Sequence, residues 1–351
     1  TTEDGTGIVH IAPTFGADDY RVAKEFGIPG MLLRRKDGTI GPMVDKRGFM
    51  VPVKDLDIQF VRERVNTGSY LGFEGRPVKN EYDENLSPEA DTLDVDIVVM
   101  LKQQGKVFRI EKQVHSYPHC WRTDKPILYY PLDAWFIRTT AFRERLIELN
   151  NTINWKPQST GTGRFGKWLE NLVDWNLSRS RFWGTPLPIW MTEDRKEEKC
   201  IGSVAELKAE IDKAVQAGFM EDNPLKDYVE NDNSAENYEK FDLHRPFVDS
   251  MVLVSPSGRK MFREPDLIDV WFDSGAMPYA QAHYPFENRD NFSDMFPADF
   301  IAEGVDQTRG WFFTLHAIAT MISDSVAFKN IISNGLILDK NGNKMSKRLG
   351  N

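Results

Sequence analysis

Apolar and polar positions alternate differently in the two halves of the chain. In residues 8–114, short apolar runs are interrupted by Gly and Pro, as at residues 48–51. Because such runs are typical of short strands, we predict a compact, mostly β domain here. Two helices are expected within it, near residues 18–26 and over about 55–66.

The later part of the chain has helical spacing. Apolar side chains at positions 311, 315, 318 and 322 recur every three or four residues, and apolar runs at 300–302 and 330–338 flank them. This predicts a strand, a helix and a second strand. In such an α/β unit the carboxyl ends of the strands line a ligand crevice. A further helix is predicted over 166–178, and we interpret its apolar stripe as core packing.

Charge is concentrated in one segment. The 351 residues carry a net charge of −9, and residues 191–242 hold 15 acids against 7 bases. We predict that residues 191–260 are a surface insertion, with one helix that begins at a capping box of Ser203 and Glu206. Elsewhere the charge is nearly balanced, so local basic patches can face a polyanion. Arg179 and Arg181 stand among aromatic residues, a pattern that suits a phosphate backbone or a stacked base, although a solvated edge is an equal alternative.

Composition excludes several classes of protein. Two cysteines, Cys120 and Cys200, exclude a disulfide scaffold, and no apolar run reaches the roughly 18 to 20 residues of a membrane span. The length predicts two or three domains. His115 and His119 lie close to Cys120, but no second thiol follows, so zinc is not expected.

The last residues offer candidate phosphate-binding groups. Lys344 and Lys347 flank Ser346 after a Gly-containing turn and could reach one phosphate chain as mobile charges; a solvated basic tail is the alternative. The run 344–348, Lys-Met-Ser-Lys-Arg, resembles the KMSKS signature of class I aminoacyl-tRNA synthetases. With Arg348 as its last residue, the motif resembles the form found in eukaryotic-type isoleucyl enzymes. The resemblance implies that both lysines are catalytic and that Lys347 binds ATP.

Two further motifs resemble the same family. Residues 269–275 (DVWFDSG) are similar to a signature of its isoleucyl, valyl and leucyl members, and residues 303–311 to its adenylate-binding turn. The resemblance implies that Trp271 and Trp311 wall the amino-acid pocket. It also implies four groups that contact the aminoacyl-adenylate: Glu303, Gly304, Asp306 and Gln307.

The opening residues distinguish between members of this family. Residues 5–19 resemble the editing signature of the isoleucyl enzymes, whereas valyl enzymes typically carry Lys at the position of His10. The resemblance implies that Asp19 grips the α-ammonium of a misattached amino acid and that His10 shapes the pocket around the ester. Without it, His10 would be interpreted as a core residue. Editing is needed because one methylene contributes only about 1 to 3 kcal/mol to discrimination, a limit for which isoleucine against valine is the standard illustration.

These observations predict an α/β fold: part of a class I Rossmann-type catalytic domain with an inserted, mostly β editing domain. The expected parts are the editing domain (1–114), a return segment (115–190), the acidic insertion (191–260) and the second half of the catalytic domain (261–351). Both ends fall inside motifs, so we expect an internal piece of a longer enzyme that lacks the HIGH signature and does not aminoacylate alone.

The implied activity is that of a cytoplasmic, monomeric isoleucine–tRNA ligase that edits misactivated valine. Its partners would be isoleucine, ATP with Mg²⁺, and tRNA(Ile), with no membrane. One alternative is a valyl enzyme, which His10 opposes. The other is a non-catalytic tRNA-binding module, which would not need Asp19, Glu303, Asp306 and Lys347 together.

Overall fold

The structure is a computed structural model that describes residues 8–87, 89–112, 114–120, 123–343 and 345. The chain divides into two compact units, Thr1–Asp133 and Ala134–Asn351. Across the described ranges, no helix has both the length and the apolar character required to cross a membrane.

In the described part of the first unit, the regular secondary structure is mainly helical. Its α-helices are α1 (Ala17–Phe26), α2 (Ile58–Arg64), α3 (Thr67–Tyr70) and α4 (Leu93–Gln103), with 3-10 turns at Val53–Asp55 and Asn80–Tyr82. Strands β1 (Leu33–Arg34) and β2 (Ile40–Gly41) pair antiparallel. The predicted helices correspond to α1 and α2. The side chain of Asp57 caps α2 by accepting from the backbone N–H of Phe60 at 2.8 Å.

The expectation of a mostly β first domain differs from what the described residues form. The apolar runs make isolated bridges, such as Val44 with Met50 and Phe49 with Pro77, where ladders were expected. A strand persists only when a neighbouring strand satisfies its backbone groups, and these runs find such partners at single positions. Val44 and Met50 are nevertheless buried and pack in a small cluster with Leu93, whereas Met31 and Phe108 in other apolar runs are exposed.

The second unit combines helices and strands. The strands are β3 (Phe136–Ile137), β4 (Asn154–Lys156), β5 (Trp175–Asn176), β6 (Ser178–Arg179), β7 (Ile189–Thr192), β8 (Glu198–Cys200), β9 (Leu253–Val254), β10 (Lys260–Arg263), β11 (Leu267–Ile268), β12 (Ile301–Gly304) and β13 (Asn330–Asn334). The helices are α5 (Arg143–Asn150), α6 (Gly166–Glu170), α7 (Val204–Gln216), α8 (Ala235–Tyr238), α9 (Val270–Gly275), α10 (Met277–Gln281), α11 (Phe292–Met295) and α12 (Trp311–Ser323). A π-helix spans Thr160–Phe165, and 3-10 turns span Thr139–Phe142, Phe247–Ser250 and Val305–Arg309.

The second unit contains a parallel sheet of order β12-β13-β4. Strand β12, helix α12 and strand β13 form the predicted α/β unit, although β13 ends at Asn334, before the expected end of the strand. Helix α12 is buried along nearly all its length and packs in a core with Trp155, Phe165 and Leu169. This core holds the carboxyl ends of β12 and β13 side by side.

The helix predicted over 166–178 is shorter than expected. It ends at Glu170, and residues 175–176 form β5, which pairs with β3. Val173 and Asp174 lie between α6 and β5. Thr139 donates to the carbonyl of Val173 at 3.0 Å, and Thr140 donates to the carboxylate of Asp174 at 2.6 Å. These long-range hydrogen bonds hold the chain extended, and they prevail over the helical spacing of the apolar residues.

The acidic segment has a hydrophobic core of its own. Strands β8, β7, β10 and β9 form an antiparallel sheet, against which Leu207 and Ile211 of α7 pack with Trp190. The serine half of the predicted capping box is confirmed, since Ser203 Oγ accepts from the backbone N–H of Glu206 at 3.1 Å; the Glu206 carboxylate accepts from the backbone N–H of Gly202 at 2.8 Å. The acidic segment therefore contains a small folded subdomain, in which helix α7 packs against an antiparallel sheet.

Candidate active site

Residues 303–311, which resemble the adenylate-binding turn of the family, lie at the carboxyl end of the parallel sheet and are called the signature turn. Glu303 and Gly304 are the last residues of β12, and they pair with Ser333 and Asn334 of β13. The 3-10 turn Val305–Arg309 follows and leads through Gly310 into α12. The structure thus brings the four predicted adenylate contacts into one continuous turn, where strand ends of an α/β sheet bind ligands.

Hydrogen bonds within the turn fix its shape and leave its carboxylates exposed. Gln307 Oε1 accepts from the backbone N–H of Trp311 at 3.0 Å. Thr308 is fully buried, and its hydroxyl donates to the carbonyl of Val305 at 2.7 Å. Glu303 and Asp306 are exposed. Two solvated carboxylates on a rigid turn can accept hydrogen bonds from ammonium or hydroxyl groups of a ligand.

Both predicted pocket tryptophans adjoin this turn. Trp271 belongs to α9 and is 40% exposed. Its Cη2 atom lies 3.4 Å from the point where a Cβ on Gly310 would stand. Trp311 begins α12, and its indole donates to the carbonyl of Ser274 in α9 at 2.9 Å. The site therefore has indole surfaces beside polar groups, an arrangement that suits a ligand with an apolar side chain.

Close packing between α9 and α12 sets the position of these indoles. A Cβ on Gly275 would lie 2.9 Å from Thr314 and from Ile318 Cδ1 in α12. Any larger residue at position 275 would push the two helices apart, because packed interiors leave no spare volume. Because Gly275 has no side chain, helix α9 can pack closely against α12, and this packing places Trp271 beside the turn.

Asp269 holds the site in place, a role that sequence analysis did not assign to it although it belongs to the 269–275 motif. It is 4% exposed and caps α9 by accepting from the backbone N–H of Trp271 at 3.3 Å. Its other oxygen accepts from Arg179 Nη2 at 2.8 Å and from Trp175 Nε1 at 3.1 Å. Arg179, considered above for phosphate binding, therefore fixes the start of α9. An Asp directly before a helix is a recognised N-cap signal in the sequence, and it could have indicated this role.

Asp273 has a shifted pKa. Burial is the main cause and raises the pKa of this carboxyl, and the nearby negative charge of Asp269 adds to the increase. A hydrogen bond from Thr185 Oγ1 at 3.2 Å opposes both. Asp273 is nevertheless exposed at the surface, so this end of α9 is open to water and its carboxyl is only partly desolvated.

The two predicted editing residues lie at the start of the first unit. His10 is exposed, in a segment without regular secondary structure before α1. Asp19 lies in the first turn of α1, and its Oδ2 accepts from the backbone N–H of Ala12 at 2.8 Å. This bond folds the segment after His10 back onto the helix. The role of Asp19 toward an ammonium group stays a prediction.

Some candidates fall elsewhere. Lys344 and Lys347 lie outside the described residues, but the turn before them is present, with Asp339 accepting from the backbone N–H groups of Asn341 and Asn343 at 2.9 Å each. Over the described ranges, no three His, Cys, Asp or Glu side chains are grouped as metal ligands would be.

Comparison with known proteins identifies related sequences. Residues 49–351 match the model of the family described as tRNA synthetases class I (I, L, M and V). The chain is 67% identical to isoleucine–tRNA ligases of Bacteroides fragilis and Porphyromonas gingivalis, in alignments that cover 100% of this chain and 31% of each relative. It is 44% identical to that of Thermus thermophilus, covering 99% of this chain and 28% of the relative.

The chain thus spans less than one third of the length of these relatives. All three are bacterial, and the eukaryotic-like type suggested by Arg348 stays a prediction.

Proposed function

Since the chain belongs to the class I tRNA synthetases of the I, L, M and V group, we propose that the full-length protein activates isoleucine with ATP and transfers it to tRNA(Ile). The 67% identity to isoleucine–tRNA ligases along the whole chain supports isoleucine as the substrate. The structural observation that carries the proposal is the turn Val305–Arg309 at the carboxyl end of β12, with the indoles of Trp271 and Trp311 beside it.

The arrangement suits formation of an aminoacyl-adenylate. The isoleucine side chain would lie against the two indoles, and the carboxylates of Glu303 and Asp306 would accept hydrogen bonds from its ammonium group and from the ribose. ATP would enter as its Mg²⁺ complex. Lys344 and Lys347 would stabilise negative charge as the carboxylate attacks the α-phosphorus and pyrophosphate leaves.

Hydrolytic editing of valine is a separate part of the proposal. Asp19 would hold the ammonium group of a misattached valine, and His10 would line the pocket around the ester. The sequence resemblance of residues 5–19 supports this assignment. We further propose that the full-length protein acts in the cytoplasm as a monomer.

Amino-acid-dependent ATP–pyrophosphate exchange tests the proposal. The full-length protein is assayed with isoleucine, valine and leucine at matched concentrations. We expect the fastest exchange with isoleucine and slower exchange with valine. A preference for valine would instead identify a valyl enzyme, and no exchange with any of them would favour a non-catalytic tRNA-binding module.

A matched pair of variants tests the location of the site. Asp306→Asn removes one exposed carboxylate charge from the turn, and Asp299→Asn removes one from an ion pair with Lys329. We expect the first to slow exchange at least tenfold and the second to leave it within twofold. Equal effects of the two substitutions would contradict the placement of the adenylate on the turn.

A further inference from the structure

The segment before β5 presents two different faces. It consists of the π-helix Thr160–Phe165 and helix α6, Gly166–Glu170, and is called the 160–170 segment below. Phe165 and Leu169 are fully buried in the core of the second unit. Arg164 and Trp168, also four residues apart, share a neighbouring face. This second face contacts the signature turn.

Two contacts join the 160–170 segment to consecutive residues of the turn. Arg164 Nε donates to Thr308 Oγ1 at 2.8 Å. The guanidinium of Arg309 lies 5.0 Å from the centroid of the Trp168 ring, in a cation–π contact. Thr308 is fully buried and also donates to the carbonyl of Val305. Arg164 thus reaches the residue whose hydroxyl closes the turn on itself.

The 160–170 segment is itself tied to the central sheet. A Cβ on Gly161 would lie only 2.3 Å from Trp155 Cδ1, so the π-helix sits directly against the indole of β4. Asn150 is 3% exposed and joins the two: its Nδ2 donates to the carbonyl of Gly161 at 3.2 Å, and its Oδ1 accepts from Trp155 Nε1 at 2.9 Å.

The chemistry of Arg164 suits this indirect role. Nε is held in the plane of the guanidinium, so a hydrogen bond from it fixes the direction of the acceptor more strictly than a freely rotating ammonium would. Thr308 cannot move toward water, because it is buried. π-Helices are frequent at functional sites, and the widened turn here ends at Phe165, directly after Arg164.

We propose that Arg164 is a positioning residue for adenylate formation, which acts through Thr308 on the turn that carries Asp306 and Gln307. This inference rests on the proposed function. A displacement of about 1 Å in a substrate-positioning group can reduce a rate by up to 100-fold. Loss of the Arg164 contact should therefore weaken adenylate binding although the core of the unit remains folded.

The test compares four single variants of the full-length protein, and the double variant that combines Arg164→Met with Thr308→Val, with the unaltered protein. Arg164→Met and Thr308→Val each remove one partner of the hydrogen bond, Thr308→Ser retains the hydroxyl, and Arg145→Met is the control. Arg145 also lies in the second unit and is partly exposed, but it pairs with Asp324 and Glu148 on the surface. The readouts are isoleucine-dependent exchange and the Kd of a non-hydrolysable isoleucyl-adenylate analogue.

We expect Arg164→Met and Thr308→Val each to raise the Kd and lower kcat/KM by about 10-fold to 100-fold. The double variant should be little worse than the poorer single one, because both changes break the same contact. Thr308→Ser and Arg145→Met should stay within twofold of the unaltered protein.

Three outcomes would overturn the inference. If the unaltered protein exchanges with isoleucine while Arg164→Met matches Arg145→Met, the inference is wrong and the proposed function stands. Additive effects in the double variant would equally show that the two residues act independently. If the unaltered protein shows no isoleucine-dependent exchange, the proposed function is wrong and the inference falls with it.

Discussion

His316 makes the stability of α12 depend on pH. It lies at the middle of the helix and is fully buried. Its Nε2 donates to the carbonyl of Leu146 at 2.8 Å, and its Nδ1 has no hydrogen-bond partner among the described residues. The ring is therefore held neutral. Burial lowers its pKa to about 4, although the hydrogen bond to Leu146 partly opposes this shift.

The sign and size of the effect follow from this pKa. In the unfolded chain a histidine has a pKa of about 6.5, so between pH 6.5 and about 4 the unfolded state binds a proton that the folded state does not. Stability therefore falls as the pH is lowered through this window. The full loss is about 3 kcal/mol, and about 2 kcal/mol of it is reached by pH 5.

Native-state hydrogen exchange of the α12 backbone measures this loss locally. The free energy of opening is obtained from peptides that cover Trp311–Ser323 at pH 7 and at pH 5, after correction for the intrinsic exchange rate. The comparison is with His316→Gln, which keeps a donor near Leu146 but does not titrate. We expect the unaltered protein to lose about 2 kcal/mol more than the variant between the two pH values. Equal losses in both proteins would refute the reasoning, because carboxyl groups titrate in both and His316 in only one.

Two further predictions concern the other regions of the chain. In the full-length protein, Asp19→Ala should lower deacylation of valyl-tRNA at least tenfold and leave isoleucine-dependent exchange within twofold. The control Asp18→Ala, one residue away, should alter neither activity. A parallel loss of both activities in Asp19→Ala would contradict separate sites. Gly161→Ala places a methyl group against Trp155 and should destabilise the second unit by about 1 to 3 kcal/mol through overpacking. Gly163→Ala, where a Cβ has open space, is the control, and equal shifts in the thermal midpoint would exclude a steric cause.

Sequence patterns predicted those elements whose stability comes from one amphipathic or apolar face. The spacing around Leu315 located α12, and the Ser203 capping box located the start of α7. In both cases the signal is local, because residues three or four apart in the chain share a helix face whatever packs against it. The signature turn at Glu303 was located in another way, by resemblance to a family.

Elements whose form depends on distant partners were predicted less well. The helix expected over 166–178 gives way to β5, because Thr139 and Thr140 hold the chain extended from more than 30 residues away. The apolar runs of the first unit contain strand-forming residues, but the sequence does not state where their partner strands lie. Whether two such segments form a ladder of several residue pairs or a single isolated bridge depends on the register between both segments, which neither segment specifies alone.

The same limit explains which residues of the candidate site were missed. Glu303 and Asp306 belong to a recognisable motif, whereas the groups that hold the motif in place are far from it in sequence: Arg164 reaches Thr308 across 144 positions, and Arg179 reaches Asp269 across 90. An arginine in a helix or beside aromatic residues has several ordinary interpretations, and its partner decides among them. For Arg179 the partner is a buried cap, which commits one nitrogen of this guanidinium to the start of α9. For Arg164 the partner is the signature turn, which is why a residue without any motif of its own is expected to influence adenylate binding.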